Sequence, residues 1–457
     1  MDAGRSIWQT DAVRAARESG DLGAVVRCIR QANHLTLAEL AQRCGYSAAT
    51  ISRLERGKQP LSDVRVLRVF AQALRIPPHV LGLVDTPPRT VQARQLTTMV
   101  GTTLVPDEET DPMRRRTLLA GLTGLAGSAL VGTSMSQLSP GDAVSALESA
   151  LLGSPLTDGV PVTLPRLRDE VAATRAVFQH GHYAEVATRL PGLLSTAMAT
   201  RAESSSLDVA SVDGQLAGLY TLASELMIKL GQDQLAWTTA DRALQAAYGS
   251  GDVLNQAVAR RAWAIVLRRT GRAETAQRLV IDTAADLQAD LHRGPEYLSV
   301  YGSLLSTAAY TAAVDGDRDT ARTLIGEAVE AADRLGADGN HRFTAFGPTG
   351  VGLYRVSIAR VLGDSGTAIE VARRINPAAI PVTERRARYW SDVARSFHQW
   401  GKHEQCYRAL LAAEQAAPDE VRYRKPIQQI TTSMLRSPSA QTLPGLHAFA
   451  RRTGASA

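Results

Sequence analysis

The stretch that decides the fold runs from Thr36 to Lys58 and reads TLAELAQRCGYSAATISRLERGK. Thr36 and Glu39 form a capping box, in which the hydroxyl and the carboxylate each satisfy a free backbone donor of the first helical turn. The helix so started carries Leu37, Leu40 and Ala41 and stops at Cys44-Gly45, where glycine takes the left-handed C-cap. Ser47 is a good N-cap for a second helix, which runs through Ile51 and Leu54 to Arg56-Gly57. Ala41 lets the two helices cross closely. Ile51 and Leu54 bury one face of the second helix and leave its other face free.

The same logic extends on both sides. Leu22 to Ala32 predicts a preceding helix, and Asp63 to Leu74 a following one, with Val66, Leu67, Phe70 and Leu74 at helical spacing. Pro77-Pro78 suits the start of a fifth helix. A five-helix domain over residues 22–85 follows, after an extension at 1–21 that lacks the apolar run of a signal peptide.

Charge supports the division. The chain has 457 residues and a formal net charge of +6, from 51 Lys+Arg against 45 Asp+Glu. Residues 1–90 hold 13 basic and 8 acidic side chains, so nearly the whole surplus sits in the first fifth. That asymmetry points to an N-terminal region meeting a polyanion and a neutral remainder with another task. Only four of the basic residues are Lys, a bias attributable to a GC-rich coding sequence, so position matters more than total. Aromatic residues are only 5%, which favours closely packed Ala- and Leu-rich helices over sheets.

Residues 86–139 read as a linker. Its first part holds Pro87, Pro88, Pro106, Pro112 and the acidic run Asp107-Glu108-Glu109. Arg114-Arg115-Arg116 and the apolar run Thr117 to Gly132 follow. Sixteen residues of helix reach about 24 Å, short of a bilayer core of about 30 Å. An apolar helix packed on the next domain or on a dimer partner is therefore expected, with no stable membrane association.

From 140 to 453 a unit recurs: a long amphipathic helix, a glycine break and a second, Ala-rich helix. The breaks fall at Gly181, Gly231, Gly271, Gly316, Gly363 and Gly401. One hairpin cannot bury its apolar face alone, so six or seven such units stack into a solenoid with a concave side. The fold class expected is all-α.

Thr36–Lys58 resembles the helix-turn-helix of the Xre (Cro/C1-type) family, with Leu40-Ala41, Gly45, Ser47, Ile51-Ser52, Leu54-Glu55 and Gly57 in register. The resemblance implies that the second helix enters the major groove of duplex DNA. Ser47, Ala48, Ala49, Thr50 and Arg53 then lie nearest the base edges, with Arg53 placed for guanine. Ser47, Ser52, Arg56 and Lys58 are placed for phosphates, joined by Arg43. The family often has Gln where this chain has Leu37, which points to weaker direct readout.

Phe346–Asp364 (FGPTGVGLYRVSIARVLGD), Ala372–Pro377, Glu384–Arg395 and Leu410–Pro418 resemble the C-terminal half of actinobacterial Xre regulators with tetratricopeptide-like domains, and so does RRRTLLAGL at Arg114–Leu122. Members often carry Asn and His where Gly350 and Tyr354 stand here; if those positions line the pocket, ligand choice differs. The family implies a cytoplasmic, dimeric transcriptional regulator.

No catalytic constellation or phosphate loop is visible, and an enzyme is not expected. His398 and His403 are five apart and do not share a helical face; His180 and His182 sit at a helix end, where imidazole caps are common. Cys28, Cys44 and Cys406 lack any paired spacing, so buried thiols in a reducing compartment are expected, without cofactor or metal. The leading expectation is a homodimeric, operator-binding regulator whose solenoid senses a peptide or small-molecule effector at residues the sequence does not single out. The alternative is an interaction hub whose solenoid recruits a protein. A sensor tethered to a membrane through 114–132 is a third.

Overall fold

The computed structural model describes residues 10–57, 61, 64–81, 144–145, 147–149, 159–206 and 208–455. The linker with its Arg-rich apolar segment 114–132, and Lys58, lie outside the described residues. Every regular element described is a helix.

The N-terminal bundle comprises α1 (Asp11–Glu18), α2 (Leu22–Ala32), α3 (Leu37–Cys44), α4 (Ala48–Glu55) and α5 (Val64–Ala73), followed by a 3₁₀ turn at Pro78–Leu81. Two differences from expectation stand out. The fifth helix expected after Pro77-Pro78 is that single turn, closed by Val80 N–H donating to the Pro77 carbonyl at 2.9 Å. An additional helix, α1, occupies the stretch read as an extension, because Val13 and Ala16, one turn apart, are buried in the bundle core. The capping box is formed: Glu39 N–H donates to Thr36 Oγ1 at 3.2 Å and Thr36 N–H to Glu39 Oε2 at 2.7 Å. These bonds hold the Glu39 carboxyl below its ordinary pKa. Gly45 ends α3 at φ 65°.

Inside the bundle, Arg30 of α2 is clamped bidentately on the buried Glu55 of α4, at 2.7 and 2.8 Å. Its third nitrogen donates to the Leu35 carbonyl at 2.7 Å. Removing one partner of such a pair strands a buried charge, at a cost of about 3–5 kcal/mol.

Among the described residues the second unit is an α-solenoid of six hairpins: α6 (Leu164–Gln179) with α7 (Tyr183–Glu203), α8 (Val209–Lys229) with α9 (Asp233–Ser250), and α10 (Val253–Arg269) with α11 (Ala273–Leu287). Then come α12 (Pro295–Val314) with α13 (Arg318–Leu335), α14 (Pro348–Val361) with α15 (Ser365–Arg373), and α16 (Thr383–Gln399) with α17 (His403–Ala416). The six glycines named above lie between the paired helices, at φ from 70° to 83°. After each, the next residue donates its N–H to the carbonyl five residues back, as in His182 to Val177 (3.2 Å) and Asp364 to Ala359 (2.8 Å). One Schellman motif, which needs the left-handed residue that glycine supplies, is thus used six times.

Small side chains let the helices approach. Ala236, Ala240, Ala243 and Ala247 form a fully buried stripe on α9. On α12 the buried hydroxyls of Ser306, Thr307 and Thr311 each donate to the carbonyl four residues back at 2.8 Å, so these three polar side chains sit in the core with a partner.

The concave side forms a cavity, because the array curls until its end meets its start. The closing helices are α18 (Pro418–Arg422), α19 (Lys425–Leu435) and α20 (Leu446–Thr453). Tyr183 of the first hairpin donates its hydroxyl to Glu420 Oε2 of α18 at 2.6 Å. Lys229 of α8 pairs with Glu420 at 2.9 Å and also with Glu384 of α16. The first helix of every hairpin faces this cavity and the second faces outward.

Candidate nucleic-acid interface

The α3–Gly45–α4 unit is positioned by its buried side: Leu40, Ala41, Ile51 and Leu54 enter the bundle core. On the other side the sequence leads one to expect open solvent. Arg43, Ala48 and Arg56 are exposed there, and Arg56 donates to the Ser52 carbonyl at 3.0 Å. Ser47 caps α4, accepting from Thr50 N–H at 3.2 Å. Ala49 lies in α4, and its side chain lies outside the described residues.

Thr50 is withdrawn from solvent, and Arg53 is only half-buried against the solenoid. Thr50 is fully buried, and its hydroxyl donates to Asp364 Oδ1 at 2.9 Å. The Arg53 guanidinium lies over the Trp400 ring, 4.2 Å from its centroid, and donates to Thr50 Oγ1 at 3.0 Å. Gly366 of α15 makes room for it: a Cβ there would stand 2.3 Å from Arg53 Nη2. Burial lowers the Arg53 pKa from its ordinary value, with Asp364 and Glu370 pulling the other way. Its Nε–H finds no acceptor among the described residues.

The turn between the helices is held as well. Tyr46 donates its hydroxyl to the Leu362 carbonyl at 2.8 Å and stacks on Phe70 inside the bundle. Arg318 lies over the Tyr46 ring, 4.0 Å from its centroid, and donates to the Gly45 and Leu362 carbonyls at 3.1 and 2.6 Å. The docking surface is therefore built from the turns of the last three hairpins: Arg318 of the fourth, Leu362–Gly366 of the fifth, and Trp400 of the sixth.

Comparison with known proteins fits this geometry. Residues 21–82 match the family model of a helix-turn-helix domain. The chain is also 40% identical over 55 residues to a protein of Bacillus subtilis (strain 168) named "HTH-type transcriptional repressor RghR". That match takes in 12% of this chain and 41% of the relative's length. No solved structure matches the chain.

The chain thus carries a helix-turn-helix domain joined to an α-solenoid. The structure brings Thr50 and Arg53 together on the solenoid and leaves Arg43, Ala48 and Arg56 outside. It also recruits Tyr46, Arg318, Asp364 and Trp400, which sequence reasoning did not single out. Three of these lie in or beside hairpin turns, where Asp and Arg are ordinary capping residues. Asp364 does cap α15, accepting from Thr367 N–H at 3.1 Å. A capping role hides a docking role. Among the described residues no helix is long and apolar enough to cross a membrane.

Proposed function

We propose that the protein is a cytoplasmic, sequence-specific DNA-binding transcriptional regulator of the Xre (Cro/C1) type. Its tetratricopeptide-like solenoid senses an effector, mediates homodimerisation and holds the reading helix back from DNA. The observation that carries this is the use of Thr50 and Arg53. The side chains placed to meet base edges are the ones engaged by Asp364 and Trp400. DNA and the solenoid compete for the same atoms, so docking and base readout exclude each other. Arg43 and Arg56, left exposed, keep the charge that meets phosphate, and Lys58 belongs with them by sequence. The repressor name of the Bacillus relative supports transcriptional control by the matched domain. The six repeated hairpins support the tetratricopeptide-like reading.

An effector changes this balance only if it binds the docked and released arrangements with different affinity. Moving the population from mostly docked to mostly released takes a difference of about 5.5 kcal/mol. The buried Arg53 Nε–H without an acceptor weakens the docked state and favours such a balance.

The test uses the full chain and a duplex selected in vitro from random sequence. Trp400→Ala removes the stacking surface of Arg53, and Gly366→Leu fills its seat. Both variants are expected to bind the selected duplex at least about tenfold more tightly, or about 1.4 kcal/mol. Arg53→Ala is expected to lose about 1–3 kcal/mol of discrimination at one base position. Unchanged affinity in both release variants would count against docking. Failure of the full-length release variants to enrich any sequence would count against DNA reading itself.

A further inference from the structure

The cavity inside the solenoid has a volume of about 160 Å³ and a wall unlike an ordinary protein core. Among the described residues seven Arg or Lys side chains face it, against three carboxylates: Glu225, Glu384 and Asp392. Each of these carboxylates is shared. Glu225 serves both Arg175 and Arg261, Glu384 serves Lys229 and Arg385, and Asp392 serves Arg360 as well as Arg388. Neighbouring Glu420 and Asp233 take part in pairing Lys229 and Arg269 but leave the excess in place.

Two arginines mark where the excess is least answered. Arg261 is 5% exposed, and its nearest carboxylate contact is the shared Glu225 at 3.4 Å. Its Nε–H has no acceptor among the described residues. Arg268, two turns along the same face of α10, lies on the Tyr310 ring at 4.6 Å and, among the described residues, donates to the Thr311 hydroxyl at 3.4 Å with no carboxylate in contact. Arginine cannot shed its proton to relieve such crowding. Buried cations that outnumber their partners call for a counter-anion.

Tyr354 reports the resulting field. Burial opposes ionisation of its phenol, yet the nearby Arg261, Arg385 and Arg268 cations hold its pKa below the ordinary tyrosine value. Gly350 and Tyr354, the two positions that depart from the resembled family, both line this cavity.

We propose that this cavity is the effector site and takes a small molecule carrying at least two closely spaced anionic groups, bridged by Arg261, Arg268 and Arg385. This rests on the effector-sensing reading above. The same inner helices connect the site to the docked domain. α12, α14 and α16 contribute Tyr310, Tyr354 and Arg385 to the wall and lead, through the turns that follow them, to Arg318, Leu362–Asp364 and Trp400 against the helix-turn-helix. Arg360 ties the three together, donating to Asp392 Oδ1 at 3.1 Å and reaching the Tyr310 hydroxyl at 3.5 Å. An anion drawn between α10 and α16 therefore pulls on the helices that carry the docking turns.

Calorimetric titration of the full-length protein without DNA tests this, with inorganic pyrophosphate and citrate as separate probes at constant ionic strength. Saturable binding of at least one is expected. Arg268→Gln and Arg261→Gln are each expected to weaken it at least about tenfold. Arg278→Gln, on the exposed face of α11, leaves it unchanged. Tighter pyrophosphate assigns a phosphorylated ligand, and tighter citrate a polycarboxylate. Should buried Arg261→Gln unfold the chain, the half-buried Arg268 decides. No saturable heat with either probe, or equal affinity in wild type and Arg268→Gln, overturns the proposal. Because no DNA is present, that failure is separate from failure of the docking test.

Discussion

Gly23 shows how much one missing methyl group decides. It lies in α2, where a Cβ would stand 2.1 Å from the Leu54 carbonyl oxygen of α4. Alanine favours helix by up to about 1 kcal/mol over glycine, so propensity alone predicts stabilisation. The obstacle is backbone, which cannot swing aside, and overpacking of this kind costs about 1–3 kcal/mol. Gly23→Ala is expected to lower the thermal midpoint of the N-terminal bundle; an unchanged or raised midpoint would show that α2 and α4 part easily. The sequence assigned a different close crossing, that of α3 with α4, to Ala41, which is indeed buried. Gly23 carried no such signal, because a glycine early in a helix has no signature of what lies opposite. Arg261 and Arg268 are a related case. Their seven-residue spacing puts both on the side of α10 that also carries Ala264 and Ile265, a legible clue obscured by the general abundance of arginine.

At the scale of elements, the turns were the most readable feature. A left-handed glycine followed by a fresh helix is a local device, and its six occurrences needed no knowledge of the fold. Two glycine-to-alanine changes separate local from tertiary demands. Gly271 has φ 82° with nothing within 4 Å of a would-be Cβ, so Gly271→Ala costs only backbone strain, about 1–2 kcal/mol. Gly302 lies inside α12, but its Cβ would meet the Phe346 ring at 1.9 Å. Gly302→Ala is therefore expected to be rescued in part by Phe346→Leu, and Gly271→Ala not at all. Thermal midpoints of the four variants check this, and equal responses to Phe346→Leu would rule it out. The 3₁₀ turn at Pro78–Leu81 and helix α1 were misjudged for a shared reason: short elements depend on burial against neighbours more than on their own caps.

For the molecule as a whole, closure of the solenoid rests on Lys229 between Glu384 and Glu420. Burial pushes both carboxyls up, but Lys229 with Arg385 and Arg424 outweighs it, and both end below the ordinary carboxylate pKa. A carboxyl depressed in the folded state contributes stability that is present above its unfolded pKa and lost as pH falls. The thermal midpoint of the solenoid is thus expected to hold near neutrality and to drop steeply as pH falls below about 4.3. A midpoint insensitive to acid over that range would show that closure does not depend on these charges.

The sequence by itself determined the all-helical class, the helix-turn-helix and the six hairpin breaks, because capping boxes, left-handed glycines and apolar spacing act within a few residues. It also placed Arg53 on the face opposite the bundle core. Only the tertiary structure decided that this face is covered, that the concave side closes into a cavity, and that the cavity is cationic. The first two depend on side chains far apart in the chain, Thr50 with Asp364 at a separation of 314 residues and Tyr183 with Glu420 at 237. Charge and packing at such range arise from how the helices curl, and no local pattern encodes the curl.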